Sequence, residues 1–475
     1  MRPRPPEPAR NPRTMRQRFL SLVLLGAILA AGGDATAPEP VPDVISAYAL
    51  ESPHPLVRRL TVQLSAPGAV EVVWETDGEP VLRVQREEVR TTHELALARL
   101  LPGRSYRIEA RGLDGQRRGE PWDTVVTIPS LPADVAALTF AAEGTPTAPL
   151  TLVEVVGSSS GWSGAVLVDG QGRVLWYHAS TGSLFGTAVR PGGSILMLDH
   201  TLGIVEVGLD GGTLHLLPQD AEPYGEIHHD LTLTPLGSVL FLARDPRTVD
   251  GQEVVGEAIW EWDAAAGTLE KHWSAHDHFQ WPEEVGERSS PSNWLHANSI
   301  EVGARGNVII SGRNTDQIWS VAPDYAAVEW RLGGEGATLP LPPADRFYGQ
   351  HGAREVAPDR IILFDNGFGR PDGQFSRAVE FQVDRGAGTV RKIWEYRPAP
   401  DIYAALVGSV RRLSNGNTVI NFGMHAGHVG STGPLSVVEV APDGAEVWRL
   451  TPGPALTRIY RATPLMSWFG EEAGG

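Results

Sequence analysis

The chain has 475 residues, 41% hydrophobic, 7% aromatic and 20% charged, which is enough apolar material for a large core or for two domains. Cysteine is absent, which excludes disulfides, Cys nucleophiles, thiolate zinc sites and iron–sulfur clusters. The formal charge is −17 and the only lysines are Lys271 and Lys392, so the global field disfavours a polyanionic partner such as nucleic acid.

Turn-forming residues are abundant, with 53 Gly and 38 Pro but no Gly-X-Y period, and long helical patterns are few. The expectation is an all-β protein. At the start, Arg2, Arg4, Arg10, Arg13, Arg16 and Arg18 precede an apolar run of 13 residues, Phe19–Ala31, and Ala35-Thr36-Ala37 offers a small-residue cleavage site. This run is short for a bilayer span and suited to a signal peptide, so residues 1–37 read as one, with an uncleaved anchor as the alternative. No Cys follows that would carry a lipoprotein anchor, and no other stretch is apolar enough to cross a membrane. The expected location is therefore periplasmic or extracellular.

Residues 38–140 alternate in short runs: Leu60–Leu64, Val70–Trp74, Val81–Val84 and Leu95–Leu100. Tyr106 follows the Pro102-Gly103 turn and opens another alternating strand, which looks like the tyrosine corner of a β-sandwich. The expectation here is a small fibronectin III-like sandwich that packs or docks and carries no chemistry.

From 141 to 475 the chain repeats. A turn followed by a β-branched strand recurs at Gly193, Gly237, Gly306, Asp359 and Gly416, at intervals of 44, 69, 53 and 57 residues. A second alternating strand follows most of these, and a third ends in Trp273, Trp330, Trp394 or Trp448. With an earlier copy at Gly164–Val168 there are six units, none able to bury both faces alone. Radial stacking predicts a six-bladed β-propeller, with the Trp residues packed between blades and a solenoid as the alternative.

Three successive units carry His just before the turn. His229 lies eight residues before Gly237, His351 eight before Asp359, and His296 ten before Gly306 with Asn298 at eight. Matching register places these side chains at one level, and Arg313 after Val308–Ser311 is positioned to bend over them. Neutral imidazole is a nucleophile toward phosphoryl or sulfuryl groups, and the Arg fork matches their oxygens. His and Asn donors would hold the charge that develops there. No GxxxxGK loop is present, so a nucleotide donor is not indicated.

The segments Trp294–Ile300, Ile310–Arg313, Tyr348–Arg354, Leu363–Gly367 and Ser376–Ala378, in this order, resemble the arylsulfotransferase family. The resemblance implies a propeller after a small β-domain. It also implies transfer of a sulfuryl group from an aryl sulfate donor to a phenolic acceptor, with no cofactor and no metal. On that resemblance His351 is the nucleophile that becomes sulfated, and His296, Asn298 and Arg313 bind the sulfuryl oxygens. His229, or its neighbour His228, completes the cluster and handles the phenol proton. The family's His-Asp-Ala-Arg pattern reads here as His351-Gly352-Ala353-Arg354, so a carboxylate often found beside the nucleophile is missing. Two rival readings are a metal-dependent hydrolase, from His276-Asp277-His278, His228-His229-Asp230 or His425 with His428, and a non-catalytic propeller that binds a ligand or a protein.

Overall fold

The alternation at Leu60, Val62 and Leu64 resumes after Pro67-Gly68 at Val70, Val72 and Trp74, and all six side chains are buried. The computed structural model describes residues 41–468 and 472–473, so the expected signal peptide lies outside the described residues. Its first strands are β1 (Val44–Glu51), β2 (Arg58–Glu75), β3 (Leu82–Leu97), β4 (Ser105–Asp114), β5 (Arg117–Arg118) and β6 (Trp122–Thr127). The apolar runs that read as separate strands are thus continuous: β2 absorbs two of them, and β3 takes most of the third and the first half of the fourth. One sheet holds β1 to β6, with β2 pairing with β1, β3 and β4, and the short strand Glu472–Ala473 adding to β3. A fibronectin III-like sandwich needs two sheets packed face to face, so that expectation is corrected to a single sheet. The local tyrosine signal has its counterpart: the buried Tyr106 hydroxyl accepts the Leu101 N–H at 2.9 Å.

After β7 (Phe140–Gly144), strands β8 (Leu150–Ser158), β9 (Gly164–Asp169) and β10 (Val174–Ala179) form a sheet. The next contains β11 (Leu184–Val189), β12 (Ile195–Asp199), β13 (Gly203–Val207) and β14 (Thr213–Pro218). It is followed by β15 (Ile227–Leu233), β16 (Val239–Val249), β17 (Gln252–Asp263) and β18 (Thr268–Ser274). Then come β19 (Ala297–Val302), β20 (Val308–Gly312), β21 (Gln317–Val321) and β22 (Val328–Gly333). The fifth group is β23 (His351–Ala357), β24 (Arg360–Asp365), β25 (Arg377–Asp384) and β26 (Thr389–Tyr396). The last is β27 (Ser409–Arg412), β28 (Thr418–Phe422), β29 (Ser436–Val440) and β30 (Glu446–Pro452). β31 (Leu456–Leu465) pairs with β8, and β7 pairs with β30.

Among the described residues no strand pairing leads from one of these sheets into the next. The sheets are not closed into a barrel or propeller, and the expected six-bladed closure is not seen. The recurrent pattern marks three strands from each turn onward, and the structure adds a fourth, the strand before the turn. Closure depends on how sheet edges and faces meet, and repeat spacing carries no information about that. The all-β expectation holds.

Two devices join neighbouring sheets. Outer-strand Trp residues reach across to turns: Trp176 Nε1 donates to Leu209 O at 2.8 Å, Trp394 Nε1 to Pro442 O at 3.2 Å and Trp448 Nε1 to Gly170 O at 3.0 Å. The repeated Trp therefore sits on the fourth strand of its unit in Trp273, Trp330, Trp394 and Trp448, not the third. The first strands β11, β15, β19, β23 and β27 lie one beside the next, so the strand before each turn, not the one after it, meets its counterparts.

The second device is a buried ion cluster among these first strands. Asp230 on β15 is fully buried and accepts Ile300 N on β19 at 2.8 Å. It also pairs with Arg461 on β31 and, at 3.4 Å, with Arg354 on β23. Burial alone would raise its carboxyl; Arg461 and Arg354 outweigh that and hold it below the usual range. Arg461 Nη2 also donates to Asn298 O on β19 at 3.0 Å. Replacing Asp230 with Ala strands two buried guanidinium groups, and the expected loss is about 3–5 kcal/mol of unfolding free energy in chemical denaturation. A loss of less than about 1 kcal/mol, the scale of a solvent-exposed pair, would mean that the cluster is open to water.

Candidate functional site

β15, β19 and β23 each lose register near their beginnings, between Ile227 and Leu231, Ala297 and Ser299, and His351 and Arg354. Such bulges re-aim side chains that a regular pleat would alternate. Left-handed backbone accompanies them at His229 (φ 58°), His296 (φ 52°) and Gly352 (φ 60°). For two histidines this is an uncommon conformation, held because Asp230 and the β19 backbone on either side are fixed.

The bulges bring the predicted residues together. The His229 and His296 rings lie 4.5 Å apart between centroids. Arg313 N donates to His296 O at 3.1 Å, which folds the segment after β20 back over β19. His351 is buried, and its ring lies 6.4 Å from that of Tyr460. Phe185 faces both Tyr460, at 5.1 Å, and His229, at 5.8 Å. Asn298 is fully buried; its amide donates to Gln350 O at 2.7 Å and so pins the backbone entering His351, while its Oδ1 has no partner among the described residues. His228 is turned the other way, with Nε2 2.7 Å from Glu257 Oε2 and Nδ1 2.9 Å from His229 Nδ1.

The protonation of His351 follows from its neighbour. Asn366 Nδ2 donates to two carbonyl oxygens, Ala404 O and Val407 O, each at 2.7 Å. Carbonyls only accept, so the Asn366 amide orientation is fixed and Oδ1 faces His351 Nδ1 at 2.7 Å. His351 therefore carries its proton on Nδ1, and Nε2 is the lone-pair nitrogen.

Charge at the site is one-sided. Burial first, then the nearby Arg313, lowers His351 to about 3. Burial likewise lowers His229 and His296, reinforced for His229 by the neighbouring His296 and for His296 by Arg313. Arg313 itself is lowered to about 10 by burial and by Arg288. Its guanidinium lies 5.2 Å over Phe368, and its Nε has no hydrogen-bond partner among the described residues. Three neutral imidazoles lie near a buried cation whose Nε donor is unspent and whose neighbouring carboxylate, Asp316, is itself paired with Arg288, which leaves the site short of a counter-charge. An incoming oxyanion supplies one.

These observations meet the similarity to known proteins. Residues 145–452 match the family model described as Arylsulfotransferase (ASST). The chain belongs to the arylsulfotransferase family. It is 28% identical over 166 residues to arylsulfate sulfotransferase AssT of Escherichia coli, covering 28% of each chain. To the protein of the same description from Lelliottia amnigena it is 26% identical over 165 residues, or 27% of each. The matched region thus spans less than a third of these relatives' length. Among solved structures, a virginiamycin B lyase from Staphylococcus aureus is similar at 11% identity and a TM-score of 0.34, over 66% of this chain and 99% of that one. Likeness this low carries no weight for activity.

Other predicted groups are engaged elsewhere. His276 Nε2 pairs with Asp245 O at 3.0 Å, while His278 stacks on Trp273 at 5.4 Å. His425 and His428 are exposed with rings 6.2 Å apart, and among the described residues no group of three or more His, Asp or Glu is arranged for a metal. Of the aromatic residues near the motifs, Phe368 underlies Arg313, whereas Phe347 packs on Phe381 and Tyr348 lies under Arg370. Asn366, Glu257, Phe185 and Tyr460 carry no recurring signal and were not singled out by sequence. Asn366 alone had a handle, as part of the Leu363–Gly367 segment that matches in order.

An unfolded His ring titrates near 6.5 and the folded His351 ring near 3, so on acidification the unfolded chain takes up this proton first. Stability contributed by neutral His351 is therefore full above pH 6.5 and is lost as pH falls toward 3. Between about pH 7.5 and about pH 5, the urea midpoint should fall more for the wild type than for His351→Asn. An equal fall in both would show that His351 is not held neutral.

Proposed function

We propose that the protein moves a sulfuryl group from an aryl sulfate to a phenol through a sulfohistidine on His351. The observation that carries this is the lone-pair Nε2 of His351, fixed by Asn366 beside a buried Arg313 with an uncommitted donor. In the first half-reaction Nε2 attacks sulfur, the N–S bond forms, the S–O bond to the aryl group breaks, and a phenolate leaves. In the second, the acceptor oxygen attacks sulfur, the N–S bond breaks, and the acceptor's proton passes to His229.

Arg313 and His296 hold the sulfuryl oxygens as charge spreads over them. Asn298 supports them by fixing the backbone before His351. Phe185 and Tyr460, which border His229 and His351, supply apolar walls for the aryl ring. The Arg-rich, apolar stretch within residues 1–37 supports action outside the cytoplasm.

Brief exposure to 4-nitrophenyl sulfate followed by intact mass measurement tests the reading. One added sulfo group is expected in the wild type and none in His351→Ala, and added phenol should discharge it. No adduct together with no phenol-dependent release of 4-nitrophenol would sink the proposal. Asn366→Ala frees the His351 ring to take the other tautomer, and transfer by the folded protein should slow about 10²-fold, alongside a stability loss of about 1–3 kcal/mol from the stranded Ala404 and Val407 carbonyls. Full activity in that variant would remove Asn366 from the mechanism.

A further inference from the structure

Between β18 and β19 the chain makes a long connection outside the strands, residues 275–296. Pro282 and Pro291 withhold backbone donors there, and side chains hold the segment down instead. Glu284 pairs with Arg331 on β22, and its carbonyl accepts Trp294 Nε1 at 2.7 Å. At Gly286 the backbone runs against that of Asn314: a Cβ would lie 1.9 Å from Asn314 O, so only glycine fits. The connection is thereby pressed onto the turn that carries Arg313.

This contact delivers the largely buried side chain of Arg288. A guanidinium is a planar fork of donors, and this one bonds to residues beside the site. Nη2 donates to Arg313 O at 2.9 Å and pairs with Asp316 Oδ1, while Nη1 donates to Phe368 O at 3.3 Å. Asp316 Oδ1 in turn accepts Gly349 N at 2.6 Å, two residues before His351. Phe368 is the ring over which the Arg313 guanidinium lies, at 5.2 Å. One side chain therefore ties together the backbone of the cation, the residue whose ring underlies it and the approach to His351. These come from three separate segments, after β20, after β24 and before β23.

Such a tie matters because little else fixes the Arg313 side chain. Its Nη1 reaches Asn314 Oδ1 at 3.3 Å, and its Nε has no hydrogen-bond partner among the described residues. The place of the guanidinium is set by its own backbone and by Phe368, and Arg288 holds both.

We propose that Arg288 is a positioning residue for sulfuryl transfer, holding Arg313 and Phe368 where the Arg313 guanidinium meets the sulfuryl oxygens on their way to His351. The proposal rests on the sulfohistidine reading. Arg288 does not touch the donor; it acts through Arg313. Charge that develops on the transferring group is stabilised only by a donor already in place, and a misplacement of about 1 Å costs about 10²-fold in rate.

The test follows growth of the sulfo adduct by intact mass, with the full protein and a range of 4-nitrophenyl sulfate concentrations. Arg288→Ala should lower the maximal loading rate by about 10-fold to 10²-fold. A double-mutant cycle separates positioning from general support of the fold. In the Arg313→Ala background, where loading is slow and is followed over hours, the same substitution should change the rate less than about twofold, because the group it positions is gone. Arg288→Ala alone leaves the Asp316 carboxylate without its cation, so Arg288→Met combined with Asp316→Asn removes the pair together and should reproduce the slowing. Equal slowing with and without the Arg313 side chain overturns the positioning role while leaving the sulfohistidine in place, and so does a pair variant that loads at the wild-type rate. A wild type that forms no adduct overturns the underlying reading and the role of Arg288 with it.

Discussion

The site depends on a carboxylate that has no access to water. Asp230 is tolerable at zero exposure only because Arg461 and Arg354 come to it, and those two residues sit on β31 and β23 while Asp230 sits on β15. Its bond to Ile300 N adds β19. One charge therefore sets the mutual position of four strands drawn from four sheets that share no strand pairing. Removing water from such a group is costly, and the cost is offset only when the partners hold their places. That requirement transmits rigidity to the adjacent residues, His229 above all, which is held in a left-handed conformation next to Asp230.

The same cluster determines the electrostatics one layer away. Because the charge of Asp230 is spent on two guanidinium groups, it does not draw protons onto the histidines. Burial then dominates, and His229, His296 and His351 are neutral while Arg313 beside them stays cationic even though burial and Arg288 lower it to about 10. Asp316 does not cancel this, since its carboxyl is engaged by Arg288 and by Gly349 N at 2.6 Å. Neutral bases beside one cation favour a ligand that brings its own negative charge. Burial also keeps His351 unprotonated across ordinary pH.

Much of this was legible in the sequence, for reasons that also explain what was not. The recurrence of His229, His296 and His351 ahead of equivalent turns reports a position along a repeated strand, and such positions converge when the strands lie side by side. Register likewise points to His229 over His228, and the structure sets the His229 ring against His296 while His228 meets Glu257. Three of the four strands of most units were visible in the same way. Sheet closure, the continuity of β2 through Pro67-Gly68, and the partners Asn366 and Glu257 were not. These rest on contacts between residues far apart in sequence and unrelated by the repeat, such as Asn366 with Val407 O, and no local pattern records them. The Trp residues illustrate both sides: their recurrence was plain, but their place on the fourth strand depended on counting a strand that carries little alternation.

Gly352 shows how a departure from the family pattern can be consistent with the chemistry. The residue has φ 60°, and a Cβ there would lie 3.2 Å from Ser409 Cα, so a side chain such as Asp would be strained and crowded. A carboxylate beside His351 would also attract a proton to the ring and raise its titration, working against the neutral state that the proposed nucleophile needs. Asn366 meets the orienting need differently. Its amide holds Nδ1–H through a neutral oxygen, itself locked by two backbone carbonyls of the loop before β27, and so fixes the tautomer without adding charge. A neutral orienter gives less stabilisation to an imidazolium, but the proposed intermediate needs little: the sulfuryl group arrives with its own negative charge, and Arg313 is there to meet it. Orientation at His351 and charge at Arg313 are thus supplied by separate residues, neither of them a carboxylate.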